Sequence, residues 1–270
     1  MKNKAFYIEY AGTGYHGWQS QKPGIASVQT EVEKAVSVVA SQAISVVCAG
    51  RTDAGVHALC QVVNCLVPDN YSKTAWTLGV NSNLPGDIRI IAQYDVNNEF
   101  HARYSAESRY YCYVIYNNRI RPGLFNDRVS WYYKRIDIEK MLLAAKKLVG
   151  RYDFTSFRSS KCQSKTAIRT IKYINIRKHD DDHIIVDIEA NAFLHNMVRN
   201  IIGTLVEIAT KDDLPVEYIT EILDAKNRTA AGHTAPASGL YFAGVRYPKY
   251  FNLPFIANKA WFVESINELV

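Results

Sequence analysis

Between two stretches rich in β-branched residues lies the segment Cys48-Ala49-Gly50-Arg51-Thr52-Asp53-Ala54-Gly55-Val56-His57-Ala58. Its two glycines bracket an Arg-x-Asp, so the backbone can bend sharply and present both side chains to a ligand. A carboxylate two residues from a guanidinium in a tight turn is expected to be held ionised by that cation. A turn with an exposed ion pair is the plainer reading of the same residues. The spacing of Gly50 and Gly55 mimics a phosphate loop, but no Lys-Ser/Thr follows, which argues against a Walker-type nucleotide site.

Other chemistries lack their residues. The five cysteines (Cys48, Cys60, Cys65, Cys112, Cys162) form no Cys-x-x-Cys pair, so zinc ribbons and dithiol redox centres have no support. They read as small apolar side chains of a reducing compartment. A zinc-dependent base deaminase needs His-x-Glu and Pro-Cys-x-x-Cys ligands, and both are absent. Bases, by contrast, are clustered. Arg151, Arg158, Lys161, Lys165, Arg169, Lys172, Arg177 and Lys178 are opposed within their segment by Asp153, with Tyr152, Phe154, Phe157 and Tyr173 interleaved. A second stretch holds Arg103, Arg109, Arg119, Arg121 and Arg128. Bases that follow phosphates and aromatics that stack on nucleobases make a nucleic-acid surface; a solvated basic face over core aromatics is the competing reading.

The elements that must carry these residues follow from periodicity. Alternation of Phe6, Ile8 and Tyr10 predicts a strand over 4–10. Ser27 reads as the N-cap of a helix whose apolar face is Val28, Val32, Ala35, Val36 and Val39. Strands are expected over 44–48, 61–67 and 88–96, with a weaker helix over 71–81. The order β-α-β-β-α-β is the split βαβ, or ferredoxin-like, pattern. It repeats loosely: strands over 110–116, 170–177, 184–190 and 240–245, and helices over 137–149, 194–209 and 216–224. We therefore expect an α+β fold of two related split-βαβ halves with mainly antiparallel sheets and a cleft between them. The boundary falls near 105, giving 1–105 with the Asp53 loop and 106–270 with the long basic segment and a packed tail after Tyr247.

A chain of 270 residues exceeds the usual single-core size, and 48% apolar with 21% charged residues is ordinary for a globular protein. No apolar run approaches the roughly 18 residues needed to cross a bilayer. Met1-Lys2-Asn3-Lys4 leads into the first strand pattern rather than into a signal-peptide core, so a cytoplasmic protein is expected. The net charge of +6 fits an anionic partner without requiring one.

The segment Gly50-Arg51-Thr52-Asp53-Ala54-Gly55-Val56-His57 resembles the signature of the TruA-type tRNA pseudouridine synthases. Further blocks match in order: His16-Gly17-Trp18-Gln19 with Ser27-Val28-Gln29, Asn83-Leu84-Pro85, Phe100-His101-Ala102-Arg103 and Arg109-Tyr110-Tyr111-Cys112-Tyr113. Asn191-Ala192-Phe193-Leu194-His195-Asn196-Met197-Val198-Arg199-Asn200 and Ala235-Pro236-Ala237-Ser238-Gly239-Leu240-Tyr241 complete the set, so the resemblance runs from about 4 to 248. Cys112 stands where a basic residue is common in the family.

The resemblance implies an isomerase that converts uridine to pseudouridine at positions 38, 39 and 40 in the anticodon arm of several tRNAs. It implies Asp53 as the catalytic nucleophile, Arg51 and Arg199 as electrostatic support, and Tyr111 as the residue that contacts the target base. It also implies tRNA as partner and a homodimer in which one tRNA spans both subunits. The reaction breaks N1–C1′ and forms C5–C1′ with no redox change, so no metal or small-molecule cofactor is expected. Positive charge develops at C1′ as the base departs, and an ionised carboxylate stabilises it; Asp53 either attacks C1′ or deprotonates C2′. On a helical wheel for 194–209, Leu194, Val198, Ile201, Leu205 and Ile208 share one face, with Arg199 and His195 beside its edge. His57 reads as a residue that orders the loop, Trp18 and Phe193 as core. The rival class is a non-catalytic RNA-binding module, since split-βαβ folds commonly bind RNA on their sheets; its Arg/Lys-Gly-Phe/Tyr string is missing.

Overall fold

The computed structural model describes residues 1–256. Its strands in chain order are β1 (Lys2–Tyr10), β2 (Val47–Cys48), β3 (His57–Val67), β4 (Ile88–Val96), β5 (Ser108–Asn117), β6 (Ser130–Tyr132), β7 (Gly150–Asp153), β8 (Ile168–Lys178), β9 (His183–Ala190) and β10 (Leu240–Arg246). The α-helices are α1 (Val28–Ala40), α2 (Ile138–Lys146), α3 (Met197–Thr210) and α4 (Tyr218–Ala225). The chain separates into two compact units, one of residues 1–107 with the segment from Tyr241 onward, the other Ser108–Leu240. The single cut expected near 105 is corrected here: β10 belongs with the first unit from Tyr241. Its Tyr241 and Phe242 lie parallel to His57 and Ala58 of β3. Pairing between strands so far apart in the chain leaves no local periodicity to read.

In the first unit β1 lies between β3 and β4, antiparallel to both, and β2 runs antiparallel to β3. This is the split-βαβ arrangement. With both of its faces covered, β1 buries seven of its nine residues rather than alternating. Ser27 caps α1 by accepting from the Thr30 amide, and Val28, Val32, Ala35, Val36 and Ala40 form the helix's buried side. Expected over 44–48, β2 is only two residues long, because α1 side chains take the preceding amides: Ile44 donates to Ser37 Oγ and Val46 to Glu33 Oε1. The helical turn expected over 71–81 winds partly in π register, Ala75–Gly79, which buries Trp76 against Phe6 and Tyr71. The segment after Tyr247 packs on this unit as far as it is described: Tyr7 donates to the Pro254 carbonyl and Phe251 meets Phe100 edge-on. Its remainder, 257–270, lies outside the described residues.

In the second unit the order is β5-β9-β8-β7, antiparallel throughout, with β6 parallel to β5. α2 packs on α3 and β8. β6 and β7 are too short to show a period and were not expected from the sequence. α3 begins at Met197, three residues later than its pattern suggests, because Asn196 takes a left-handed conformation and stops the helix from extending backward. Among the described residues no helix is long and apolar enough to cross a membrane.

Candidate active site

The Asp53 loop is built by contacts within the first unit. At its start, the Ala49 amide donates to Val62 and Gln61 Nε2 donates to the Gly50 carbonyl. Gly50 has to be glycine, since a Cβ there would meet the Phe242 ring at 2.8 Å. Thr52 is buried, its hydroxyl 2.7 Å from the phenol of Tyr10 and its carbonyl accepting from the Trp18 amide. Burial raises the Tyr10 phenol well above its ordinary range, against the pull of the Thr52 hydrogen bond, so it is protonated at neutral pH. The Asp53 carbonyl accepts from the Val56 amide, closing the turn, and Gly55 supplies its positive φ of 77°.

Two flanking glycines allow the loop to lie so close. A Cβ on Gly12 would fall 2.0 Å from the Val56 carbonyl oxygen, and one on Gly17 would fall 2.6 Å from that of Thr52. His57 is buried, its Nδ1 accepts from the Gly12 amide, and its ring stacks on Tyr241 at 4.8 Å. It therefore orders the loop, as its place in the sequence suggests. The blocks at 16–19, 50–57 and 241–242 are thus in contact around Asp53, which is half-buried. Trp18 is core, and Gln19 bonds to Gln29 at the start of α1.

Arg51 departs from expectation. It is exposed, and among the described residues it enters no ion pair or hydrogen bond, so the Arg51–Asp53 pair expected inside the turn is not formed. Burial pushes the Cys48 thiol up to about 11, and the Arg51 charge acts in the opposite sense. In an extended segment residues two apart share a face, so spacing permits the pair, and whether it forms is decided by how the turn bends between them.

The second unit holds the other two candidates. Tyr111 is buried on β5, edge-on to Phe193 at 5.0 Å. Phe193 is half-buried, not the core residue expected. Tyr113, two residues on, donates to the Pro236 carbonyl. Arg199 is half-buried in the first turn of α3; its Nε donates to the Ala235 carbonyl at 2.7 Å and its Nη1 reaches Asn196 Oδ1 at 3.3 Å.

The long basic segment divides by use. Arg158 donates to the carbonyls of Cys162 and Ser164, Arg169 is buried on the Thr166 and Ile168 carbonyls, and Arg177 faces the buried Asp187 at 3.6 Å. Lys178 pairs with Asp181. Arg151, Lys161, Lys165 and Lys172 remain exposed to solvent. Of the interleaved aromatics, Phe154 and Phe157 are core and Tyr152 is exposed. Cysteines 60, 65 and 112 are buried as expected, while Cys48 and Cys162 are partly exposed. No group of three or more His, Cys, Asp or Glu side chains suited to a metal ion occurs among the described residues.

The class of protein built on this fold is given by comparison with known proteins. The sequence model of a family described as tRNA pseudouridine synthase matches residues 7–105 and 144–248. The tRNA pseudouridine synthase A of Enterobacter sp. (strain 638) is 50% identical over 250 residues, covering 93% of this chain and 92% of its own. That of Vibrio campbellii is 48% identical, covering 93% and 94%. The chain belongs to the tRNA pseudouridine synthase family and is an isomerase.

Proposed function

We propose that this protein converts uridine to pseudouridine in the anticodon stem-loop of tRNAs, at tRNA positions 38, 39 and 40, with Asp53 as the essential carboxylate. The observation that carries the reading is the Asp53 loop itself: separate sequence blocks of a family member meet there, and three glycines are present where any side chain would collide.

The target uridine leaves its stack at a cost of a few kcal/mol, which interactions elsewhere along the RNA offset. Asp53 stabilises the charge that develops at C1′ as N1–C1′ breaks, either by bonding to C1′ or by taking the C2′ proton. The uracil turns and C5 bonds to C1′ as the Asp53–C1′ bond breaks, or as the C2′ proton returns from Asp53, and the proton lost from C5 is balanced by the N–H gained at N1. Arg51 and Arg199 give electrostatic support, and Tyr111 stacks on the uracil. The exposed bases Arg151, Lys161, Lys165 and Lys172 bind phosphates. The working form is a cytoplasmic homodimer, with no metal or small-molecule cofactor in its chemistry.

The test is Asp53→Ala, assayed on unmodified tRNA by chemical labelling of pseudouridine and, separately, by tRNA binding. Binding is expected to persist while product disappears. Product formed at the wild-type rate would refute the carboxylate assignment. Labelling in another arm of the tRNA would reject the positions and leave the chemistry standing.

A further inference from the structure

α3 carries two polar side chains where its buried face calls for hydrocarbon. Asn200 and Thr204 are both sealed from solvent, and a buried amide or hydroxyl is costly unless its donors and acceptors are met. Here most of their acceptors are met by one segment, 228–235, laid along the helix, while their donors go to the Phe157 and Asn200 carbonyls. Asn200 Nδ2 donates to the Phe157 carbonyl at 2.8 Å, while its Oδ1 accepts from Arg228 Nη2 at 3.1 Å and Thr234 Oγ1 at 2.7 Å. The Gly232 amide donates to Thr204 Oγ1 at 3.0 Å. Between these two residues sits Gly203, where a Cβ would fall 1.8 Å from the His233 carbonyl oxygen. The segment therefore rests on bare helix backbone.

Arg228 is the hub. Its Nη1 donates to the carbonyls of Ala231 and Gly232, and its Nη2 is shared between Asn200 Oδ1 and Thr234 Oγ1. The planar fork of a guanidinium suits four acceptors around one centre, which an ammonium cannot match with the same directions. The segment so fixed ends on Arg199. The Ala235 amide donates to the Arg199 carbonyl at 3.0 Å, and the Arg199 side chain returns the bond from Nε to the Ala235 carbonyl at 2.7 Å. An arginine side chain has many rotamers; this reciprocal pair selects one of them.

We propose that Arg228 is a positioning residue for Arg199: it fastens the 231–235 segment to α3, and the Ala235 carbonyl then aims the Arg199 guanidinium. Arg228 acts without touching the RNA. The inference rests on the electrostatic role given to Arg199 above, and its consequence is kinetic. A charged group displaced from where charge develops loses its effect in the transition state, so kcat falls while tRNA binding is retained.

The experiment is a double-mutant cycle on an unmodified tRNA transcript, with kcat and KM measured separately. Arg228→Met is expected to lower kcat by about 10- to 100-fold, with KM nearly unchanged. In an Arg199→Ala background the same substitution is expected to have no further effect. Thr234→Val removes the two hydrogen bonds of its hydroxyl, to Arg228 and to Asn200, and leaves both Arg228 bonds to backbone. It should show a smaller loss coupled to Arg199 in the same way, and Thr234→Ser should restore the rate. Equal fold-losses in both backgrounds would overturn the inference, because Arg228 would then act on stability in general. An Arg199→Ala enzyme with wild-type kcat would overturn the role of Arg199 and this inference together. That failure is seen in the single variant alone.

Discussion

At the scale of single residues, the charges of this protein do different work according to what each side chain touches. Lys4, on the central strand, has a side chain only 5% exposed, and it meets Asp95 directly across the β1–β4 pair. The Lys4 ammonium bonded to Asp95 holds that carboxyl below its usual value of 3.8, against a desolvation that acts the other way. A depressed folded-state value means that the unfolded chain takes up the proton first as acid is added. The stabilisation is therefore complete above pH ~4 and is lost as pH falls through the lower folded value. Asp95→Asn is expected to cost on the order of 1 kcal/mol at pH 7, since the carboxylate is half exposed and screened. Urea unfolding at pH 7 and at pH 3 checks this: the gap between wild type and variant should close in acid. A gap of equal size at both would show that the carboxylate's charge is not its source.

The elements act through close approach of backbone. The loop of residues 16–19 lies against the Asp53 loop because Gly17, with a φ of 93°, has no Cβ to strike Thr52. Gly17→Ala adds a clash and a left-handed strain of about 1–3 kcal/mol. The displaced backbone belongs to the neighbour of Asp53, so both the melting temperature and kcat are expected to fall. Gly14→Ala is the control: nothing lies within 4 Å of a Cβ there, and both quantities should stay close to wild type. Parallel behaviour of the two variants would mean that the approach of the loops does not matter for catalysis. The same logic explains why β3 begins at His57 and not at 61. Its first residues are held by β10 and by the end of β1 rather than by alternation of their own.

For the whole molecule, the informative quantity is which bases face solvent, not the net charge of +6. Lys161 and Lys165 are exposed, whereas Arg169 is buried on carbonyls of its own chain. Removing a cation that pairs with a phosphate weakens binding to all sequences alike and flattens the dependence of affinity on salt. Lys161→Gln with Lys165→Gln is expected to weaken tRNA binding and reduce the slope of log K against log salt by about 1 for each phosphate no longer engaged. Arg169→Gln should lower thermal stability and leave the slope unchanged. A shallower slope for Arg169→Gln, or an unchanged one for the lysine pair, would reverse this division of the basic segment.

The linear chain already contained whatever depends on near neighbours. The extent of β4, the Ser27 cap of α1, the buried stripe of α3 and the turn carrying Asp53 are all set by residues within a few positions of one another, so their patterns are visible in order. What the three-dimensional arrangement alone decided depends on contacts between distant segments. β10 joined the first unit, Arg51 stayed exposed and unpaired with Asp53, and half of the basic segment went to internal hydrogen bonds and ion pairs. Asn200 and Thr204 lie outside the apolar face read from the sequence, and their partner lies some thirty residues on. A side chain's partner across space is chosen by packing and by the need to satisfy every buried donor and acceptor, and neither constraint is written in the order of the residues.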